Sequence, residues 1–163
     1  NVRHMTDKLG MPVDHGIVET VAAMQLLKIR TTMSCEGHLD RQTGGPYVMC
    51  VSSIAEKLRK EAAVIRNPVD SQYKMLYKKA MRANLTEQQK LYQLLEGFYK
   101  ARNTPFSQRL IVRTMGFSAF RLECQGAELA YILDEARQKE LLIKNQAEMK
   151  AFAEYMKEVY LLG

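Results

Sequence analysis

One short segment of the chain concentrates side-chain chemistry: Ser34-Cys35-Glu36-Gly37-His38 places a thiol, a carboxylate and an imidazole within four positions. A thiol beside an imidazole favours the thiolate, so Cys35, Glu36 and His38 form a candidate catalytic set, with Cys35 as nucleophile and His38 as base. The Cys-x-x-His spacing also suits two ligands of a zinc ion, but a closed structural site takes about four ligands, usually further Cys or His. The chain holds three cysteines and three histidines. His15, Cys50 and Cys124 complete a site only if the fold converges on them, so the sequence alone names no metal site.

Two further uses of the segment remain open. As a binding turn, Gly37 admits a positive φ that lets backbone amides approach a ligand, while Thr31, Thr32 and Ser34 offer hydroxyls, a set suited to oxygen-rich ligands such as phosphate. As plain packing, Cys35 is a small buried apolar residue and His38 a surface turn residue. Glu123-Cys124-Gln125-Gly126 repeats the Cys-x-Gly spacing. Thr32, Ser34, Gly37, Cys124, Gln125 and Gly126 are therefore the candidate ligand-binding residues, if the two turns face each other.

A second surface is basic. Lys74, Lys78 and Arg82 fall at i, i+4 and i+8 of a predicted helix, with Lys79, Tyr73 and Tyr77 beside them. Residues 57–82 hold eight basic side chains against Glu61 and Asp70. Such a stripe tracks phosphates, and tyrosines stack on unpaired bases; the competing reading is a solvated helix face over core aromatics. Arg109 and Arg113 share strand parity, and Arg121 lies on the partner strand, so a basic sheet face is a further possibility.

Thr31-Thr32-Met33-Ser34-Cys35-Glu36-Gly37-His38, preceded by a helix from Asp14 through Leu27, resembles the T-T-x-S-C-x-G-R pattern of the tRNA wybutosine-synthesising methyltransferase family. It is also similar to small bacterial and phage proteins with a Ser-Cys-Glu-Gly-His segment. The match covers about residues 14–38. His38 stands where the methyltransferases have arginine, and Glu36 replaces a small residue. The resemblance implies an RNA-related protein that uses S-adenosylmethionine; the residues themselves name no cofactor.

The elements that must position these groups follow from periodicity. Asp14 reads as the N-cap of a helix with Ile17, Val21 and Met24 on one stripe. Residues 29–35 and 47–51 read as a hairpin with an eleven-residue connection through Gly44-Gly45-Pro46, and residues 110–115 and 119–124 as a second hairpin. Between the hairpins, Ser53 with Glu56 caps one helix, residues 71–83 form another, and Thr86 with Gln89 caps a third. From Ala127 to Leu161 the chain closes with one long helix or two in line. The expected fold is α+β, with two β-hairpins joined in one largely antiparallel four-stranded sheet that helices cover on one face.

At 163 residues and 18.7 kDa, a single domain over 1–163 is expected, since domains cluster at ~100–150 residues. A hydrophobic share of 47% and charged share of 26% exclude a disordered or fibrous class. No apolar run approaches the ~18 residues of a membrane span, no signal peptide is spelled out, and three cysteines are too few for a disulfide framework. A cytoplasmic protein is expected. Asn1 to His4 read as residues ahead of a native start at Met5. Residues 1–122 carry 19 Lys and Arg against 10 Asp and Glu, while residues 123–163 carry 5 against 8. Polarised charge of this kind suits an RNA or DNA partner. The C-terminal stripe of Met149, Phe152, Met156 and Tyr160 is core, or a homodimer surface where exposed.

Overall fold

Alternation along four short runs decides the architecture. In the computed structural model, which describes residue 6 and residues 10–40 and 44–163, these runs are the strands β1 (Thr31–Cys35), β2 (Tyr47–Val51), β3 (Leu110–Met115) and β4 (Ala119–Cys124). They form one antiparallel sheet in the order β1-β2-β4-β3, so the two hairpins join through their inner strands. The proposed start at Met5 lies outside the described residues.

Residues facing one another across a ladder share a face of the sheet. Val48, Cys50, Phe120, Leu122, Cys124 and Leu110 lie on one face and are buried. Against them pack helix α1 (Val18–Leu26) through Val21 and Met24, the second half of α3 (Ser71–Tyr99) through Leu91, Leu95 and Phe98, and α4 (Glu135–Leu162) through Met149, Phe152 and Met156. Helix α2 (Ser53–Ile65) packs on the first half of α3. The opposite face carries Met33, Cys35, Tyr47, Met49, Arg113, Arg121 and Glu123. That asymmetry matters because the second face carries the charged and reactive groups, Cys35, Arg113, Arg121 and Glu123 among them.

Several predicted boundaries move for local reasons. Ser52 caps α2, accepting the Ala55 amide at 3.2 Å, while Ser53 turns to Arg30. Glu56 pairs with Arg30 and Lys60 in place of closing a capping box. The helices expected to break near 83 are one 29-residue helix; Thr86 lies inside it, its hydroxyl donating back to the Arg82 carbonyl at 2.9 Å. Buried Asn84 donates to the Ala119 carbonyl at 3.1 Å, pinning α3 to the β3–β4 turn. The C-terminal segment is a 3-10 turn (Ala127–Ile132) followed by α4, which Asp134 caps. Met149, Phe152 and Met156 belong to the core, so the stripe suggested for dimerisation leaves only Tyr160 exposed. Among the described residues, no helix is long and apolar enough to cross a membrane.

These caps make a direct test. Ser52→Ala is expected to cost about 1 kcal/mol of unfolding free energy. Ser53→Ala and Thr86→Ala, which remove no cap, should stay within about 0.5 kcal/mol in denaturant titration.

Candidate metal centre

Asp14 has extended backbone at the entry to a 3-10 turn (His15–Ile17), and its side chain makes no cap hydrogen bond. Its carboxylate leaves the helix and reaches the end of β1, where Oδ2 accepts the Glu36 amide at 3.2 Å. Glu36 answers in kind, its Oε2 accepting the Gly16 amide at 2.6 Å. A Cβ on Gly16 would lie 2.5 Å from that same oxygen, so the absence of a side chain is what allows the approach. The two hydrogen bonds clamp residues 14–16 to residue 36.

The turn after β1 is held from other sides as well. Gly37 has φ +86°, and a Cβ there would fall 2.7 Å from Leu142 Cδ1 and 2.9 Å from the Gly45 carbonyl carbon. Glycine is required on both counts, since L side chains disfavour that φ. The Gly37 amide donates to Cys35 Sγ at 3.4 Å. From α4, Gln146 Nε2 donates to the Glu36 carbonyl at 3.0 Å.

Inside this frame, His38 Nε2 lies 3.3 Å from Asp14 Oδ2. One donor atom each from Asp14, Cys35 and His38 lies within 4.8 Å of the other two. Cys35 is the deepest at 9% exposure, while the side chains of Asp14 and His38 are 33% and 23% exposed. Tyr47, paired with Cys35 across the ladder, registers the cluster electrically: burial, then the charges of Cys35 and Asp14, raise its phenol above the ordinary value, with Arg121 opposing.

The other predicted site residues separate. Glu36 acts as a clamp, its carboxylate turned to Gly16, and the carboxylate that reaches His38 belongs to Asp14. Thr32 is the extra residue at a register shift in β1 and bonds the Met49 carbonyl at 3.4 Å. Ser34 pairs with Val48 on the helix-covered face, away from Cys35. The repeat at Cys124-Gln125-Gly126 leaves the sheet at the same end as Cys35, with β2 between them. Its thiol, however, faces the helices, 3.7 Å from the Asn145 carbonyl, and burial pushes it up to about 12. Gln125 donates its amide to Arg109, and a Cβ on Gly126 would meet the Ser107 carbonyl at 2.3 Å. Cys50 is buried on the same face, its thiol also raised by burial, and exposed His15 stands outside the cluster.

Lys74, Lys78, Lys79 and Arg82 are exposed on the first half of α3, and among the described residues none forms an ion pair with an acid. Beside them Tyr73 lies 4.6 Å from Tyr77, which meets Phe117 edge-on at 4.4 Å.

Sequence reasoning missed Asp14 as a site residue because it sits 21 positions before Cys35 and satisfies a helix-start pattern. The available signal was Gly16. A glycine early in a helical pattern costs about 0.5–1 kcal/mol relative to alanine and marks a close approach.

If the clamp is one interaction, its two sides are not additive. Gly16→Ala and Glu36→Ala are each expected to destabilise, and the double variant to fall short of the summed loss by at least about 0.5 kcal/mol in a denaturant double-mutant cycle. Comparison with protein-family models, curated proteins and solved structures finds no match to this chain, so the resemblance of residues 14–38 stands on those residues alone.

Proposed function

We propose that this protein is a zinc-dependent enzyme of the hydrolytic type, with the ion held by Asp14, Cys35 and His38 and a further position left to a water. The observation that carries the reading is the convergence of three different donors from two distant segments to within 4.8 Å. Ligands about 2.0–2.2 Å from a tetrahedral ion stand roughly 3.3–3.5 Å apart, and His38 Nε2 to Asp14 Oδ2 is 3.3 Å. A sulfur at about 2.3 Å completes the triangle with edges near 3.6 Å, so closing the cluster takes at most about 1 Å of side-chain movement.

Among the described residues three donors converge, and three protein ligands plus one open position is the composition of catalytic zinc sites, whereas structural sites are filled by four. The Gly37 amide on Cys35 Sγ and the Glu36 amide on Asp14 Oδ2 supply the outer hydrogen bonds that fix the orientation of the ligands. A bound zinc ion lowers the pKa of its water to about 7 and polarises a substrate oxygen.

The same residues in a thiol mechanism would need Cys35 to meet the substrate first. It is the least exposed of the three. That order suits an ion capped by solvent better than a nucleophile.

Elemental analysis after dialysis should find about one zinc per chain. Cys35→Ser, His38→Ala and Asp14→Asn should each weaken zinc affinity by more than the ~10–100-fold expected for outer-shell losses such as Glu36→Gln. A protein that retains no zinc, or variants that all retain it, would contradict the reading.

A second reading, association with RNA or DNA, is favoured by the stretch 71–86, which has four basic residues and no acid. Binding of a single strand through these four charges should give a log–log salt slope of about −3, falling by about 2 on replacing Lys74, Lys78 and Arg82 with Ala. Salt-independent binding, or no binding, counts against it.

A further inference from the structure

The face of the sheet opposite the core offers a second built feature beside the Asp14–Cys35–His38 cluster. Register arranges it in two rows: Cys35, Tyr47, Glu123 and Ile111 along one, and Met33, Met49, Arg121 and Arg113 along the next. Neighbouring strands lie about 4.8 Å apart, so Glu123 stands roughly 10 Å from Cys35 with Tyr47 between them. At this end of the face a cavity of about 140 Å³ is lined by Gly44, Tyr47, Arg113, Arg121, Glu123 and Tyr131. Its wall at Gly45 and Pro46 is the backbone packed against Gly37, so cavity and cluster share a partition.

The charges inside the cavity limit what it can hold. Arg113 and Arg121 face each other directly across the β3–β4 ladder, an unfavourable pairing of like charges unless an acid intervenes. Glu123, its side chain 8% exposed, lies against both, 2.7 Å from Arg113 Nε and in contact with Arg121 Nε. The exposed Glu128 adds a second negative charge 3.5 Å from Arg113. The set is close to neutral, which argues against a phosphate or another dianion as its ligand.

The guanidinium groups nevertheless have donors to offer: each carries five N–H groups, and the side chains of Arg113 and Arg121 are 44% and 25% exposed. The Arg121 guanidinium sits 5.3 Å from the Tyr47 ring centroid, and Tyr131 lines the same cavity. A neutral planar heterocycle with acceptors on its edge matches this arrangement. Arginine gives to ring and carbonyl acceptors, and aromatic rings supply a stacking surface.

We infer that this cavity binds a nucleobase, on a nucleotide or an unpaired strand, and so presents a base-bearing substrate to the Asp14–Cys35–His38 centre. The role as substrate rests on the zinc reading; the binding of a base does not.

The test uses the full chain with ¹³C-methyl-labelled methionine. Met33 contacts the Tyr47 hydroxyl through Sδ at 3.6 Å, and Met49 pairs with Arg121, so both methyl groups report on the cavity. Each of the four nucleoside monophosphates, with ribose 5-phosphate and inorganic phosphate as controls, is titrated to about 10 mM, weaker than the −4.1 kcal/mol that corresponds to 1 mM. At least one nucleotide is expected to shift Met33 and Met49 saturably while both controls leave them in place. Glu123→Gln and Arg121→Met should each weaken that binding about tenfold or more, with the remaining methionine signals unmoved as the check on folding. Equal shifts from ribose 5-phosphate would overturn the inference in favour of a phosphate site, and no shift from any nucleotide would overturn it outright. Repeating the titration with Asp14→Asn separates the two proposals. The variant should keep the nucleotide shifts while binding zinc weakly; in the unaltered protein, base binding without zinc binding sinks the zinc reading alone, and zinc binding without base binding sinks this inference alone.

Discussion

The arrangement of the candidate site depends on one reciprocal contact. Asp14 accepts the Glu36 amide and Glu36 accepts the Gly16 amide, so two carboxylates each satisfy the backbone of the other's segment. Charge-assisted bonds of this kind contribute more than neutral ones. The geometric result outweighs the energetic one. A side chain whose position in sequence marks it as a helix cap is turned across a gap of more than 20 residues and set against His38 and Cys35. Remove the clamp and the cluster reduces to Cys-x-x-His at the end of an edge strand.

The sheet divides the labour of the chain by parity. Every second residue of β2 and β4 enters the core, where α1, α3 and α4 close over Val48, Cys50, Phe120 and Leu122. The intervening residues, Tyr47, Met49, Arg121 and Glu123, are left on the other face. A thiol's chemistry follows from the face it lands on. Cys50 and Cys124 are buried packing groups with raised pKa values, while Cys35, one of the same three, joins an imidazole and a carboxylate. The two glycines beside it serve different purposes: Gly37 supplies the left-handed turn, and Gly16 the room for the Glu36 carboxylate.

Much of the scaffold was legible in the sequence because its signals are local. Both hairpins, the joining of their strands into one antiparallel sheet and the long C-terminal helix follow from alternation, helical periodicity and turn residues. The places where reading failed are places where a tertiary contact outweighs a local preference. Thr86 with Gln89 spells a capping box, yet the chain continues helical because Leu91, Leu95 and Phe98 extend the buried face begun by Leu76 and Ala80. Ser53 with Glu56 spells another, yet Arg30 from across the sheet edge engages both. At the site, Cys35 and His38 were visible because they are neighbours in sequence. Asp14 was not, since nothing local distinguishes a carboxylate that caps a helix from one that leaves it for a partner 22 residues away. Strand register, which puts Tyr47, Arg121 and Glu123 on the face of Cys35, is likewise set by pairing between distant segments and cannot be read from either strand alone.

The central claim is that the clamp assembles one sulfur, one nitrogen and one oxygen donor around a single ion. X-ray absorption at the zinc edge of the metal-loaded protein addresses it most directly. The account predicts one sulfur at about 2.3 Å and about three lighter ligands at about 2.0–2.2 Å, with the sulfur contribution lost in Cys35→Ser. A first shell of oxygen and nitrogen alone in the native protein, or one with two or more sulfurs, would contradict it.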